Sequence, residues 1–200
     1  MRLSWADRSR EAEMDVPEAR LEKTEHGLVY KGGGWFVVNA EDVRWRESDG
    51  LGRSTNFGGD TIFDQIGIGI NVLAPGQPLS MYHWESDEED FLVLDGTATL
   101  LVEGEERPLR RWDFVHCPPY TEHTIVGGPA GCLILGVGAR ERHTEIGPDG
   151  VRIGKDGESE YTVAEVALKH GAGIEPGTPQ DEAYSRFPPR RYVGYGGWLD

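Results

Sequence analysis

A strict alternation of side-chain character marks residues 65–72. Every second position is a β-branched aliphatic residue and the intervening positions are small or polar; the aliphatic set is Ile66, Ile68, Ile70 and Val72. Because successive side chains of a strand point to opposite faces, this period of two predicts a β-strand with one apolar face. Gly67 and Gly69 on the other face either relieve a sharp bend or leave space for a ligand, and the pattern favours neither role.

A second alternating segment, residues 83–96, combines metal-ligand residue types with apolar ones. If residues 86–88 keep the pleat of a strand, all odd-numbered positions share one face. That face carries His83, Glu85, Glu89, Phe91 and Val93. We therefore expect three potential metal ligands and two apolar side chains to point the same way, as they would inside a barrel.

The opposite face of this segment is apolar as well, because Leu92 and Leu94 occupy it. Apolar residues on both faces are typical of a strand buried on both sides. Asp95-Gly96 is a turn signal, and it predicts a β-hairpin whose returning strand covers residues 97–102.

A third segment, residues 112–126, carries another histidine next to a turn. It predicts a short strand, a turn at Pro118-Pro119, and a further strand over residues 124–126 that His123 directly precedes.

The spacing of these residues resembles the first sequence motif of the cupin superfamily. That motif has a glycine, a His-x-His pair, a glutamate and a second glycine, and Gly76, His83, Glu89 and Gly96 match it. Glu85 stands where the family usually has its second histidine.

The third segment resembles the second cupin motif, in which a proline, a turn and a histidine follow one another. Pro118 and His123 match, whereas Trp112 and Tyr120 stand in place of glycines and Gly127 in place of an asparagine. The resemblance covers residues 60–140 and is closest to small bacterial single-domain cupins of the RmlC-like jelly-roll type.

The resemblance implies an all-β fold, the double-stranded β-helix or jelly-roll barrel. Residues 1–27 are then a charged N-terminal arm, and residues 28–140 form the barrel, with its core at residues 60–140. Residues 141–200 form an extension that packs on the barrel or on a partner subunit.

The flanking segments predict additional short elements around that core. Residues 28–30 are a short apolar run, residues 35–39 predict an extra N-terminal strand, and residues 41–46 predict a turn that leads to another short strand. The Gly-rich, polar residues 48–59 and 140–157 predict loops. Thr162 and Glu165 fit a capping box for a helix over residues 163–170, and residues 181–187 predict one or two further helical turns. We expect little helix elsewhere.

The charge of the chain limits its partners. The formal net charge is −15, and an acidic protein repels nucleic acids and anionic membrane surfaces, so we expect neither as a partner. No apolar run approaches the roughly 18 residues of a membrane-spanning helix. The partner that the family resemblance implies is a small molecule.

The cysteines and the N-terminal segment favour a cytoplasmic protein. Cys117 and Cys132 are too few to form a disulfide framework, and the first residues lack the apolar segment of a secretion signal. We interpret Cys117 as a buried core residue, because free cysteine behaves as a small apolar residue. The alternative is a thiol beside the pocket.

The ligand types predict one divalent metal ion per chain. His83, Glu89 and His123 form a set of two imidazoles and one carboxylate, which suits iron(II). If Glu85 is a fourth ligand, the additional oxygen favours manganese or iron, and zinc or nickel stay possible. If Glu85 is not a ligand, its carboxylate is placed to act as a catalytic general base.

Three functions fit these residues. The first is a metal-dependent enzyme that oxygenates, isomerises or decarboxylates a small organic molecule. The second is a non-catalytic barrel that binds or senses a small ligand, with or without a metal ion. The third is a barrel that has lost tight metal binding. We favour the first by resemblance; the substrate stays open, because no arginine pair stands out as a carboxylate clamp.

The apolar face formed by Leu92 and Leu94 also bears on assembly. An exposed, contiguous apolar surface is unusual in a monomer, and cupins of this size commonly dimerise. We therefore predict a homodimer, in which the segment near Trp35 can exchange between subunits.

Overall fold

The computed structural model describes residues 16–61, 63–140, 143–146, 152–155 and 158–198. Its strands are β1 Leu21–Thr24, β2 Gly27–Tyr30, β3 Trp45–Ser48, β4 Gly52–Asn56, β5 Ile66–Leu73, β6 His83–Glu85, β7 Glu89–Val102, β8 Glu105–Arg110, β9 Phe114–Cys117, β10 His123–Ala139, β11 His143–Ile146, β12 Arg152–Lys155, β13 Ser159–Tyr161 and β14 Arg191–Val193. One short helix, α1 Glu165–Lys169, and a 3₁₀ turn over Gln180–Glu182 complete the described elements.

A ten-stranded sheet dominates the described residues. Its strands follow the order β13-β6-β10-β5-β4-β3-β14, and β7 pairs with β10, β8 and β9. The strand pairs of this sheet are antiparallel. The all-β prediction is therefore confirmed, and the architecture is consistent with a cupin jelly roll.

The alternation in residues 65–72 corresponds to β5, which pairs with β4 and β10. Ile70 and Val72 pack with the buried Trp45, while Gly67, Gly69 and Asn71 line a cavity on the other side. One face of this strand therefore builds core and the other lines the cavity.

The predicted hairpin turn at Asp95-Gly96 is wrong, because β7 runs without interruption from Glu89 to Val102. Its pairing with β10 shifts register between Gly127 and Cys132, which places an irregularity opposite these residues. Gly96 has φ of 75°, and a Cβ there would lie 2.2 Å from the carbonyl oxygen of Gly131. The Asp-Gly signal thus marks a bulge within a long strand.

Several predictions for the flanking segments are also corrected. Residues 36–39 form no strand, and Trp35 makes only an isolated bridge to Glu18. The predicted loops contain β4, β11 and β12, because pairing with neighbouring strands stabilises segments that are locally polar. The β1–β2 hairpin spans residues 21–30; residues 1–15 lie outside the described residues.

The extension after residue 140 contacts the main sheet at both of its edges. β13 pairs with β6 and β14 pairs with β3, and the rings of Tyr195 and Trp198 pack against Trp45. The predicted capping box is wrong: Ala164 precedes α1 without a side-chain cap, and the Thr162 hydroxyl has no partner. No helix in the described ranges has the length and apolar character to span a membrane.

Candidate metal centre

The cavity beside β5 has a volume of about 1080 Å³, and every residue that was predicted from the sequence to form the site lines it. His83 begins β6 and Glu85 ends it, Glu89 begins β7, and His123 begins β10. The four side chains therefore come from the ends of three strands. Each of the four lines the cavity wall.

The two histidines are neighbours across paired strands. His83 and His123 are Cα partners in the β6–β10 pair, and their ring centroids are 5.3 Å apart with an interplanar angle of 35°. Both residues are buried, whereas the cavity side of the pair is open to a small molecule.

Both imidazole rings are oriented by the backbone. His83 Nδ1 lies 2.8 Å from the carbonyl oxygen of Met81, and His123 Nδ1 lies 3.0 Å from that of Thr121. A carbonyl oxygen only accepts a hydrogen bond, so each Nδ1 must carry the proton. This leaves Nε2 of both rings as the atom directed at a ligand, which is the arrangement of metal-binding histidines.

Each Nε2 faces a carboxylate. His83 Nε2 is 3.2 Å from Glu85 Oε1, and His123 Nε2 is 3.1 Å from Glu89 Oε2. Ligand atoms of His83, Glu85 and Glu89 all lie within 4.8 Å of one another, so these three residues could hold a metal ion. His123 borders this group through its contact with Glu89.

The charges of the site are coupled. The hydrogen bond from His83 lowers the pKa of the Glu85 carboxyl, although burial opposes this shift. Burial alone would lower the pKa of His123, but hydrogen bonds to Cys117 and Glu89 outweigh it and raise that pKa. The site therefore favours the ionised form of Glu85, which is the form that binds a cation, and the protonated form of His123.

The side chains of His116, Trp84 and Cys117 lie near this site but outside the ligand group. His116 is exposed and pairs with Asp90 at 2.7 Å, and Trp84 packs on Tyr120, with ring centroids 5.3 Å apart. Cys117 is buried in the apolar core, as expected.

Tyr161 is a cavity residue that the sequence did not point to. It is the Cα partner of His83 through β13, and its ring lies 5.9 Å from that of His83. Tyr184 packs edge-on against it at 5.5 Å. The only local signal was a short polar segment of strand length, which on its own does not distinguish a strand from a loop.

The sequence comparison with protein families gives one match: residues 69–130 match the family described as Cupin domain. This range contains all four candidate ligands. Among curated proteins, none is significantly similar to the chain.

Solved structures with similar folds include two described as sugar phosphate isomerases. One, from Silicibacter pomeroyi, is 25% identical with a TM-score of 0.42, and a putative one from Acidithiobacillus ferrooxidans is 27% identical with a TM-score of 0.42. Each match covers 46% of this chain and 61% of the other, so the chain spans about three fifths of their length. KdgF from a Halomonas species is 19% identical with a TM-score of 0.47, covering 55% of this chain and 96% of that one.

Proposed function

Because this chain is a protein of the cupin superfamily, with the cupin domain at residues 69–130, we propose that it is a metal-dependent enzyme acting on a small organic molecule. The reaction classes compatible with the site are oxygenation, isomerisation and decarboxylation. The proposal is carried by one observation: two imidazole Nε2 atoms and two carboxylates meet at the wall of a cavity of about 1080 Å³.

His83, Glu85, Glu89 and His123 are the residues that would hold the ion. Two imidazoles with two carboxylates suit iron or manganese, and zinc or nickel are compatible with the same donors. Two carboxylates also balance the charge of a divalent cation. When bound, such an ion would act as a Lewis acid towards a substrate oxygen.

The chain's own residues supply orientation and proton transfer. The backbone carbonyl groups of Met81 and Thr121 fix the two imidazole rings. Glu85 is the more exposed of the two carboxylates, with 37% of its side chain accessible, compared with 21% for Glu89. We propose that Glu85 either completes the ligand set or accepts a proton from a molecule in the cavity.

A binding or sensing protein is the second candidate. It is favoured by the way in which the four residues already satisfy one another in two imidazole–carboxylate pairs. Such a site keeps its shape with or without a bound ion. A catalytic function does not require this property, so the property favours a binding or sensing protein.

Elemental analysis of untagged protein tests the proposal. We expect about one equivalent of a divalent transition metal in the natural chain and in the control variant His116→Ala, whose side chain is exposed. We expect little metal in Glu89→Gln. Metal-loaded protein is then incubated with extracts of small metabolites, and mass spectrometry compares the extracts before and after incubation. Turnover lost in Glu89→Gln supports the enzyme, whereas binding without turnover supports the second candidate.

A further inference from the structure

The cavity wall formed by β3, β4 and β5 carries a row of polar side chains. Arg46 is the register partner of Ser54, and Ser54 is the register partner of Asn71. All three line the cavity. Trp45 and Val72, their neighbours in sequence, pack in the core behind them. The guanidinium of Arg46 is thereby presented to the same space as the candidate metal centre.

Arg190 joins Arg46 at this wall, because β14 pairs with β3 immediately after it. Tyr192 is the register partner of Arg46, and Arg190 precedes β14 by one residue and also lines the cavity. The two arginines are 144 positions apart in the chain. Only the pairing of these two strands brings them together.

Two of the three arginines that line the cavity, Arg46 and Arg190, lack the acidic partners that their neighbours have. Arg44 pairs with Asp60, and Arg191 pairs with Glu47 at 2.7 Å. Within the described part of the chain, no carboxylate forms an ion pair with Arg46 or Arg190. This contrast is informative in a chain with 35 acidic residues and 20 basic ones, where an acidic partner for an arginine is easily supplied.

The position of Arg46 is unfavourable without an anion. The residue is half-buried, and burial, followed by the positive charges of Arg190 and Arg44, lowers its pKa. Burying a charge without a partner costs free energy. Two unpaired guanidinium groups facing a cavity are suited to an oxyanion, because their N–H groups bind carboxylate or phosphate oxygens in pairs.

Tyr161 connects the arginine wall with the candidate metal centre. Its ring lies 5.9 Å from that of His83, and the ring of Tyr184 packs edge-on against it. Glu85 and Arg190 line the same cavity as this ring. A small molecule in the cavity can reach both groups.

Two adjacent glycine pairs of β5 and β10 line the cavity between the two walls, because Gly67 is the register partner of Gly138 and Gly69 is that of Gly136. The guanidinium of Arg140 lies where a side chain at Gly67 would be, and the carbonyl oxygen of Thr55 lies where one at Gly69 would be. These two glycines therefore allow neighbouring groups of the chain to approach β5 closely.

We propose that Arg46 and Arg190 bind the anionic group of the small molecule that this cavity takes, a carboxylate or a phosphate. The anionic group lies at the arginine wall and the remainder of the molecule extends past Tyr161 towards His83 and Glu85. This assignment of substrate class rests on the proposed function only in that both concern the same cavity. The arginines bind an anion with or without a metal ion.

Anion binding by metal-free protein tests this proposal. Chelator-treated, dialysed protein is titrated calorimetrically with inorganic phosphate and with acetate, at constant ionic strength set by chloride. We expect saturable binding of at least one of the two probes, and the probe that binds identifies the class. Arg46→Gln and Arg190→Gln should weaken that binding about tenfold or more. Arg107→Gln, a control with the same charge change at a 63% exposed side chain, should not.

Thermal unfolding provides a second readout. Without an anion, Arg46→Gln should raise the melting temperature, since it removes a half-buried charge that its neighbours repel. With the binding probe present, the natural chain should be stabilised and the variant should not. If Arg46 had only a structural role, Arg46→Gln would lower the melting temperature and leave anion binding unchanged. That result, or the absence of binding of both probes by the natural chain, would overturn the proposal.

Failure of the anion site and failure of the metal centre are distinguishable. Arg46→Gln should keep the metal content of the natural chain, and Glu89→Gln should keep anion binding. If the protein binds an anion but no metal, only the proposed enzyme is contradicted. If it binds metal but neither anion probe, only the proposed anion site is contradicted.

Discussion

Glu89 and His123 lie at opposite ends of the β7–β10 ribbon, yet their side chains are 3.1 Å apart. In the register, Glu89 pairs with Gly138, whereas His123 pairs with Val102. The 14 residues of β7 would span roughly 40 Å if extended. The ribbon must therefore curl back on itself, and the register shifts near Gly127 and Leu133 are where strands bend most easily.

Because the curled ribbon brings His123 next to Glu89, we can predict how His123→Ala affects the candidate metal centre. The core around it is apolar, with Ile125 and Ile134 fully buried, and does not rely on an ion. We expect a folded variant whose metal affinity falls about a hundredfold or more. Circular dichroism and elemental analysis of the same sample measure the two effects.

Two outcomes would contradict this expectation. An unfolded His123→Ala variant would mean that the ion is structural, because binding energy is then folding energy. Full metal occupancy in a folded variant would remove His123 from the site. His116→Ala is the matched control, because it deletes an exposed imidazole that pairs with Asp90.

The fold was largely predictable from sequence because its strongest signals are periodic and local. The alternation in β5 and the odd-numbered face of residues 83–93 follow directly from strand geometry. Phe91 and Val93 are buried as that face requires, while Leu92 and Leu94 are only half-buried. The all-β class and the family resemblance are confirmed, whereas the metal-ligand roles stay predictions.

The parts that sequence did not predict depend on pairing between distant segments. Asp95-Gly96 has the same local signature in a turn and in a bulge, and only its contact with Gly131 distinguishes them. Arg46 and Arg190 become neighbours only when β14 adds to β3. Tyr161 reaches the cavity by the same kind of long-range pairing, through β6.

Gly96 and Gly104 have nearly equal backbone φ angles. Alanine substitutions at these two positions therefore separate the free-energy cost of crowding from that of backbone strain. Gly96 has φ of 75° and Gly104 has φ of 77°, but only Gly96 has a carbonyl oxygen 2.2 Å from the position of a Cβ. Gly104→Ala should cost about 1 kcal/mol of unfolding free energy, the cost of placing a side chain in the left-handed region. Gly96→Ala should cost about 3 kcal/mol or more, because the ribbon must also move apart.

Urea unfolding of both glycine variants measures this difference. Equal destabilisation would show that Gly96 serves only its backbone angle and that the bulge is loosely packed. In that event the curvature of the ribbon would have to depend on other positions.

The outer face of β7 predicts a homodimer. Leu92 and Phe114 are register partners on that face, and Phe114 and Trp112 are 63% and 62% exposed. Apolar side chains this accessible are suited to a second copy of the chain. Light scattering should give a mass near twice 22.2 kDa, and Phe114→Glu should shift it to that of one chain.

A second variant tests the other mode of association. Val37 is 82% exposed near Trp35, the segment predicted to exchange between subunits. If Val37→Glu dissociates the dimer and Phe114→Glu does not, the exchange model is correct and the β7 face is not the interface. A single-chain mass for the natural protein across a dilution series would exclude both.

Glu85→His distinguishes a ligand from a general base at the position where this chain departs from the cupin motif. Glu85 Oε1 lies 3.2 Å from His83 Nε2, on the cavity side of the site. If the residue contacts the ion, a third imidazole should keep metal binding and shift preference from manganese and iron towards nickel, copper or zinc. Equimolar mixtures of these metals, analysed after dialysis, report the shift. The same substitution at the exposed neighbour, Glu88→His, should leave selectivity unchanged. Unchanged selectivity in Glu85→His itself would place the carboxylate outside the ligand set, and Glu85→Gln should then retain metal and lose turnover, as expected of a base.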